Sequence, residues 1–159
     1  VLLDAPGGKF WQGAMDFIHQ QLADNHYILP TDTKLMRLVY TVEEAVEQIN
    51  QFYSNFHSSR WLKHQFVIRM NHKLSELALE HMQKAFADLC LSDQFHQHAY
   101  SGEEHDEERF SHLARLAFTF TARDHGRLRE LVDYINLPEN WAHTHPPVQQ
   151  RTREPLKVT

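Results

Sequence analysis

The sequence predicts an α/β chain, and three observations carry that prediction. The opening stretch VLLDAPGGKFW joins a short apolar run to an amphipathic segment through Pro6-Gly7-Gly8, the strand–turn–helix order of a doubly wound domain. Thr41-Val42-Glu43-Glu44 has the spacing of a capping box and opens a second helix. Between residues 65 and 136 an alternating run followed by a helical run occurs twice, the pattern of a small sheet with helices on one face.

Val1 to Ala5 reads as a short buried strand. Phe10, Trp11, Ala14, Phe17, Ile18 and Leu22 then recur at helical spacing and give one wide apolar face, with Phe10 and Trp11 packing on the sheet. Residues 25–33 form a loop containing Pro30, and Leu35 to Tyr40 a second short strand. In the capped helix, Val42, Ala45, Val46, Ile49, Phe52 and Tyr53 supply the buried side. Phe66, Ile68 and Met70 alternate with Val67 and Arg69 as in a half-buried strand, and Ser75 caps a helix that buries Leu77, Leu79, Met82, Phe86 and Leu89. A polar insert, 92–111, precedes a strand marked by Leu116, Phe118 and Phe120, after which Asp124 caps a last helix with Leu128, Leu131, Val132 and Ile135. Beyond Asn136 periodicity ends and four prolines follow, which reads as an extended or disordered tail.

Composition narrows the function. With 16 Lys and Arg against 21 Asp and Glu, the net charge of -5 disfavours nucleic acid as a partner, since phosphate neutralisation needs clustered positive charge. No apolar run approaches the ~20 residues of a membrane helix, so no membrane partner is expected. The lone Cys90 reads as a buried structural thiol of a reducing compartment, and the absence of a leader sequence makes the cytoplasm the expected location.

The opening turn has the shape of a phosphate loop without its chemistry. Gly7 and Gly8 let backbone N–H groups converge before a helix N-terminus, but Phe10 and Trp11 stand where a close phosphate needs small or hydroxyl residues. The best anion-site candidate lies after the second helix, where His57, Ser58, Ser59 and Arg60 combine an imidazole, two hydroxyls and a guanidinium; the competing reading is a hydrogen-bonded helix end. The 13 histidines include His96-Gln97-His98 and His143-Thr144-His145, yet neither a HExxH helix nor a second cysteine accompanies them, and no metal is expected. The acidic run 103–108 reads as a solvated connection; Arg123, Arg127 and Arg129, with His125, gather at the start of the last helix and read either as a contact for an acidic partner or ligand or as surface partners of Glu130 or Asp133.

The run VLLDAPGGKFW, the segments FIHQQLADNHYILP and TVEEAVEQINQFY, and SNFHSSRW, in this order and spacing, resemble the C-terminal part of the LOG family. These are Rossmann-like proteins with cytokinin-riboside-monophosphate phosphoribohydrolase activity, long labelled possible lysine decarboxylases. The resemblance implies the C-terminal part of a Rossmann-like sheet over 1–61, a small two-layer α/β extension over 62–136 and a Pro-rich tail over 137–159. The family signature Pro-Gly-Gly-x-Gly-Thr-x-x-Glu, aligned at Pro6, meets Phe10, Trp11 and Ala14 at its Gly, Thr and Glu positions. The Pro-Gly-Gly here therefore matches the turn one strand later, the signature and its upstream Arg would precede Val1, and no catalytic residue carries over. What the resemblance implies is a fragment that binds a nucleoside monophosphate and is not catalytic by itself, and no cofactor is expected. Decarboxylation is rejected on its own chemistry, because Met70-Asn71-His72-Lys73 lacks the Ser-x-His-Lys arrangement of a Schiff-base lysine. The alternative is a non-catalytic oligomerisation or small-ligand-sensing module, because small two-layer domains complete their sheets by pairing as homo-oligomers.

Overall fold

A computed structural model describes residues 1–92, 94–101, 104 and 108–142. It is a mixed α/β structure with a two-stranded parallel sheet and a four-stranded antiparallel sheet. In the first sheet β1 (Leu2–Leu3) lies beside β2 (Leu38–Val39), with Leu2 opposite Leu38. Helix α1 (Phe10–Phe17) connects them and continues as a π-helical turn, Ile18–Ala23. Pro30 begins a 3-10 turn, Pro30–Leu35, where the sequence predicted a plain loop. Pro at the first position of a turn gives up an N–H that would have no partner there.

Helix α2 (Val42–Phe52) starts where its capping box predicts: the Glu44 N–H donates to Thr41 Oγ1 at 3.1 Å, and the Glu44 carboxylate accepts from the Thr41 N–H at 3.3 Å. Its end differs from expectation. SNFHSSRW is a strand and not a helix terminus: β3 (Phe56–Leu62) turns through Lys63, at φ 54°, into β4 (Gln65–Met70). The boundary expected after residue 61 thus falls inside a β-hairpin. Helix α3 (Glu76–Ala85), capped by Ser75, precedes β5 (His96–His98), a strand inside the polar insert that alternation did not reveal. Then come β6 (Ala114–Phe118) and α4 (His125–Ile135), capped by Asp124. The sheet order is β3-β4-β6-β5, all neighbours antiparallel.

The core lies between this sheet and α3 and α4, built from Ile68, Met70, Met82, Leu116, Phe118, Leu131 and Ile135. Leu77 was expected in it but is exposed, while Phe86 and Leu89 reach it from beyond the helix end at Ala85. Cys90 is only partly buried, just past a 3-10 turn, and bridges to Phe120. Trp141 keeps the start of the tail in place by donating from Nε1 to the Ile135 carbonyl at 2.9 Å; residues 143–159 lie outside the described residues.

Residues 1–54 have almost no interior. Only Ala23 and Val39 among them are buried, and neither α1 nor α2 buries any residue. Phe10, expected to pack on the sheet, is 74% exposed. What fixes this segment is the turn over 30–35 against α4. Gly126 comes so close that a Cβ there would sit 1.9 Å from the Thr31 carbonyl oxygen, while Thr31 Oγ1 donates to Asp124 at 2.9 Å. A second clasp joins α2, β3 and α4: Asn136 Oδ1 accepts from the Asn55 and Phe56 N–H groups at 3.0 and 2.8 Å, and its Nδ2 donates to the Phe52 carbonyl at 2.7 Å.

Candidate functional site

The glycine turn is filled by the chain itself. Gly7 takes φ 75°, a conformation open to glycine, and folds the Asp4 carboxylate back over the start of α1. That carboxylate accepts from the Ala5 N–H at 2.9 Å and the Trp11 N–H at 3.1 Å. Gly8 is needed beneath it, because a Cβ there would lie 2.2 Å from Asp4 Oδ1. An internal anion therefore occupies the position at which a helix N-terminus attracts a phosphate.

The four anion-site candidates divide between the two faces of β3. Ser58 and Arg60 stand opposite Arg69 and Val67, whereas Ser59 stands opposite Ile68 on the helix side and lines a cleft of about 250 Å³ with Phe52, Phe56, His125 and Arg129. A bulge between Phe56 and Ser58 turns His57 to the Ser58 side, where its Nδ1 lies 2.9 Å from Ser58 Oγ. His57 and Ser58 thus come together, Arg60 lies one row along the same face, and Ser59 is separated from them.

On that face the strands carry a polar row. Ser58 pairs with Arg69, Arg69 with Arg115, and Arg115 with His98, while the next row runs Arg60, Val67, Ala117, His96. The four strands contain three arginines, three histidines and no Asp or Glu, and the contacts and register put all six cations or imidazoles on this one side. Like charges directly opposite each other destabilise a sheet. The insert answers them with Glu104.

Glu104, Arg69 and Arg115 are all buried. Arg115 Nε donates to Glu104 Oε1 at 2.9 Å, and Arg69 Nε donates to Oε2 at 2.9 Å with its Nη2 also bonded there. Burial by itself pushes the Glu104 carboxyl up, but the hydrogen bonds and charges of Arg115 and Arg69 outweigh it and hold the group below the ordinary 4.5. Rings cover the guanidiniums: Phe110 lies 5.1 Å from Arg69 and 4.8 Å from the His57 ring, and Tyr100 lies 5.1 Å from Arg115. Arg115 Nη1 donates to the carbonyls of Phe110 at 2.8 Å and Leu113 at 2.5 Å. Its Nη2, fully buried, has no hydrogen-bond partner among the described residues.

The sequence did not single out this trio. Glu104 was read as part of a solvated run, and its burial between two arginines corrects that. The alternation of Val67 and Arg69 with Phe66, Ile68 and Met70 read as a half-buried strand, but Val67 and Arg69 are as buried as the core side. The available signal was an arginine inside each of two strongly apolar runs, Phe66 to Met70 and Leu113 to Phe118. A charge so placed requires a buried counter-charge.

Other clusters are plainer. Arg127 pairs with Glu130 and Arg129 with Asp133, as the spacing on α4 predicted, and Arg127 also pairs with Asp88, which the sequence did not indicate. His96 and His98 lie on the edge strand β5, and His143 and His145 fall outside the described residues. Among the described residues no three His, Cys, Asp or Glu side chains are grouped as metal ligands, and no helix is long and apolar enough to cross a membrane. Comparison of the chain with protein-family models, curated proteins and solved structures finds no match.

Proposed function

We propose that the chain is the C-terminal portion of a LOG-like nucleotide-binding protein, not catalytic by itself, in which residues 1–53 are the edge of a larger Rossmann-like sheet and β3 to α4 form an attached α/β module. The observation that supports this is the uncovered apolar surface of the first segment. Parallel strands belong to sheets buried on both faces, yet β1 and β2 form a lone pair with Leu3 exposed. Val42, Val46 and Ile49 make an apolar face on α2, and Val42 is 61% exposed. Neighbouring strands and helices of a doubly wound sheet would cover these faces.

In the intact protein the reaction would be N-glycosidic hydrolysis of a nucleoside 5′-monophosphate, releasing base and ribose 5-phosphate. That chemistry needs a carboxylate beside the ribose and donors around the phosphate, which the resemblance puts ahead of Val1. The reading frame upstream is expected to encode Pro-Gly-Gly-x-Gly-Thr-x-x-Glu about one strand–helix unit earlier, and its absence would overturn the assignment. The purified chain is expected to release no adenine from AMP. The same open face supports the second reading, a homo-oligomerising module without catalysis. Light scattering separates the two: a self-limiting dimer whose formation is abolished by Val46→Glu favours that alternative.

A further inference from the structure

We propose that the Arg69–Arg115 pair is a binding site for a phosphate dianion, which the Glu104 carboxylate occupies as an internal surrogate. The inference stands apart from the LOG-like assignment, because it concerns only the antiparallel sheet and its covering insert. Three features of the site carry it.

The first is the geometry of the donors. Two guanidiniums from adjacent strands converge on one point, and this planar fork arrangement matches the oxygens of a carboxylate or phosphate. The second is what Glu104 leaves undone. Its two oxygens take Arg115 Nε and the Nε and Nη2 of Arg69, while Arg115 Nη2 is buried without a partner among the described residues. A buried donor left unmet in this way is costly, because it has given up its water without gaining a protein partner. A tetrahedral phosphate presents at least one more acceptor oxygen than a carboxylate, and that oxygen can meet Nη2. The third is the field around the site. His57, Arg60, His96 and His98 share this sheet face with the pair, the strands contribute no acidic group, and Ser58 Oγ lies 3.4 Å from Arg69 Nη1. Ser58 can therefore supply a neutral donor beside the charged ones.

A phosphate and Glu104 exclude each other, so the tethered carboxylate sets the affinity of the site. Inorganic phosphate and the 5′-phosphate of a nucleotide share this chemistry. The test compares the two on the whole chain by calorimetry at constant ionic strength, with sulfate as a control. The wild type is expected to bind weakly, and E104Q about tenfold more tightly, since the mutant removes the competing charge and keeps the side-chain shape. In the double variant E104Q/R115K, which keeps the charge and loses the fork, that gain is expected to disappear. AMP binding more tightly than inorganic phosphate identifies a nucleotide site; equal affinity identifies a site for the free ion. A folded E104Q that binds neither, or one whose gain survives R115K, overturns the proposal. Should E104Q not fold, the wild type decides: phosphate, compared with chloride, must shift the Arg69 and Arg115 Nε–H resonances, and unmoved resonances overturn it equally.

Discussion

Replacing Asn136 by alanine removes a single amide on which three elements converge. Asn136 is buried, and its side chain serves the Asn55 and Phe56 N–H groups and the Phe52 carbonyl. No water reaches Asn55, which has no exposed surface, so its N–H would stay unmet. At about 1–3 kcal/mol for each buried group left without a partner, and less for the half-buried Phe52 end, the loss is about 4 kcal/mol. In a domain stable by about 5–15 kcal/mol this is a large share. At roughly 2–4 °C per kcal/mol for a chain of this size, Tm should fall by about 10 °C. Urea unfolding followed by circular dichroism measures it, with Asn136→Asp as the intermediate case that keeps the acceptor and loses the donor. Because the clasp sets the start of β3, amide resonances of His57 and Ser58 should shift as well. A loss below about 1 kcal/mol would refute the reasoning, since it would mean that the partners find other bonds at no cost.

Gly126→Ala puts a methyl group 1.9 Å from the Thr31 carbonyl oxygen, and it should detach the first segment from α4 while the antiparallel sheet stays folded; amide exchange that rises over 30–37 and stays slow over 65–70 is the expected pattern. Glu104 has its carboxyl held below the ordinary 4.5, so its contribution to stability is fully present above that value and is lost as pH falls through the lower folded value; E104Q should flatten this limb of the urea midpoint against pH. Glu104→Ala alone should cost about 3–5 kcal/mol by stranding two buried guanidiniums, whereas the triple variant R69M/E104L/R115M should recover most of that loss, as denaturant midpoints will show.

Local signals in the sequence were legible where local chemistry decides the outcome. Thr41 with Glu44, Ser75 and Asp124 each marks a helix start, because a side-chain oxygen one turn from an unmet N–H acts within four residues. The strands β4 and β6 were visible for the same reason. Phe10, Val42 and Val46 were placed correctly on apolar faces but wrongly indoors, because periodicity states which side is apolar and not whether anything covers it. His57 to Arg60 misled differently: a strand alternates, so four adjacent polar residues cannot share one face, and the bulge that rescues His57 is a matter of pairing. Glu104 was illegible because its meaning lies 35 residues away at Arg69 and 11 away at Arg115.

Two arginines opposite each other on neighbouring strands are a poor way to hold a sheet together. Their mutual repulsion and the desolvation of buried ions must be offset, and apolar residues of similar volume commonly serve such a position as well or better. The remaining faces of β4 and β6 show that this chain makes apolar pairs readily, as Ile68 opposite Leu116 and Phe66 opposite Phe118 do. Stability therefore does not account for Arg69 and Arg115. Fold specificity is a weak substitute, because register is already set by those apolar pairs and by the hairpin at Lys63. An anion role does account for them, and it also explains the arrangement that stability leaves odd: a counter-charge delivered by an insert and not by a third strand, and a buried guanidinium nitrogen that the carboxylate does not reach.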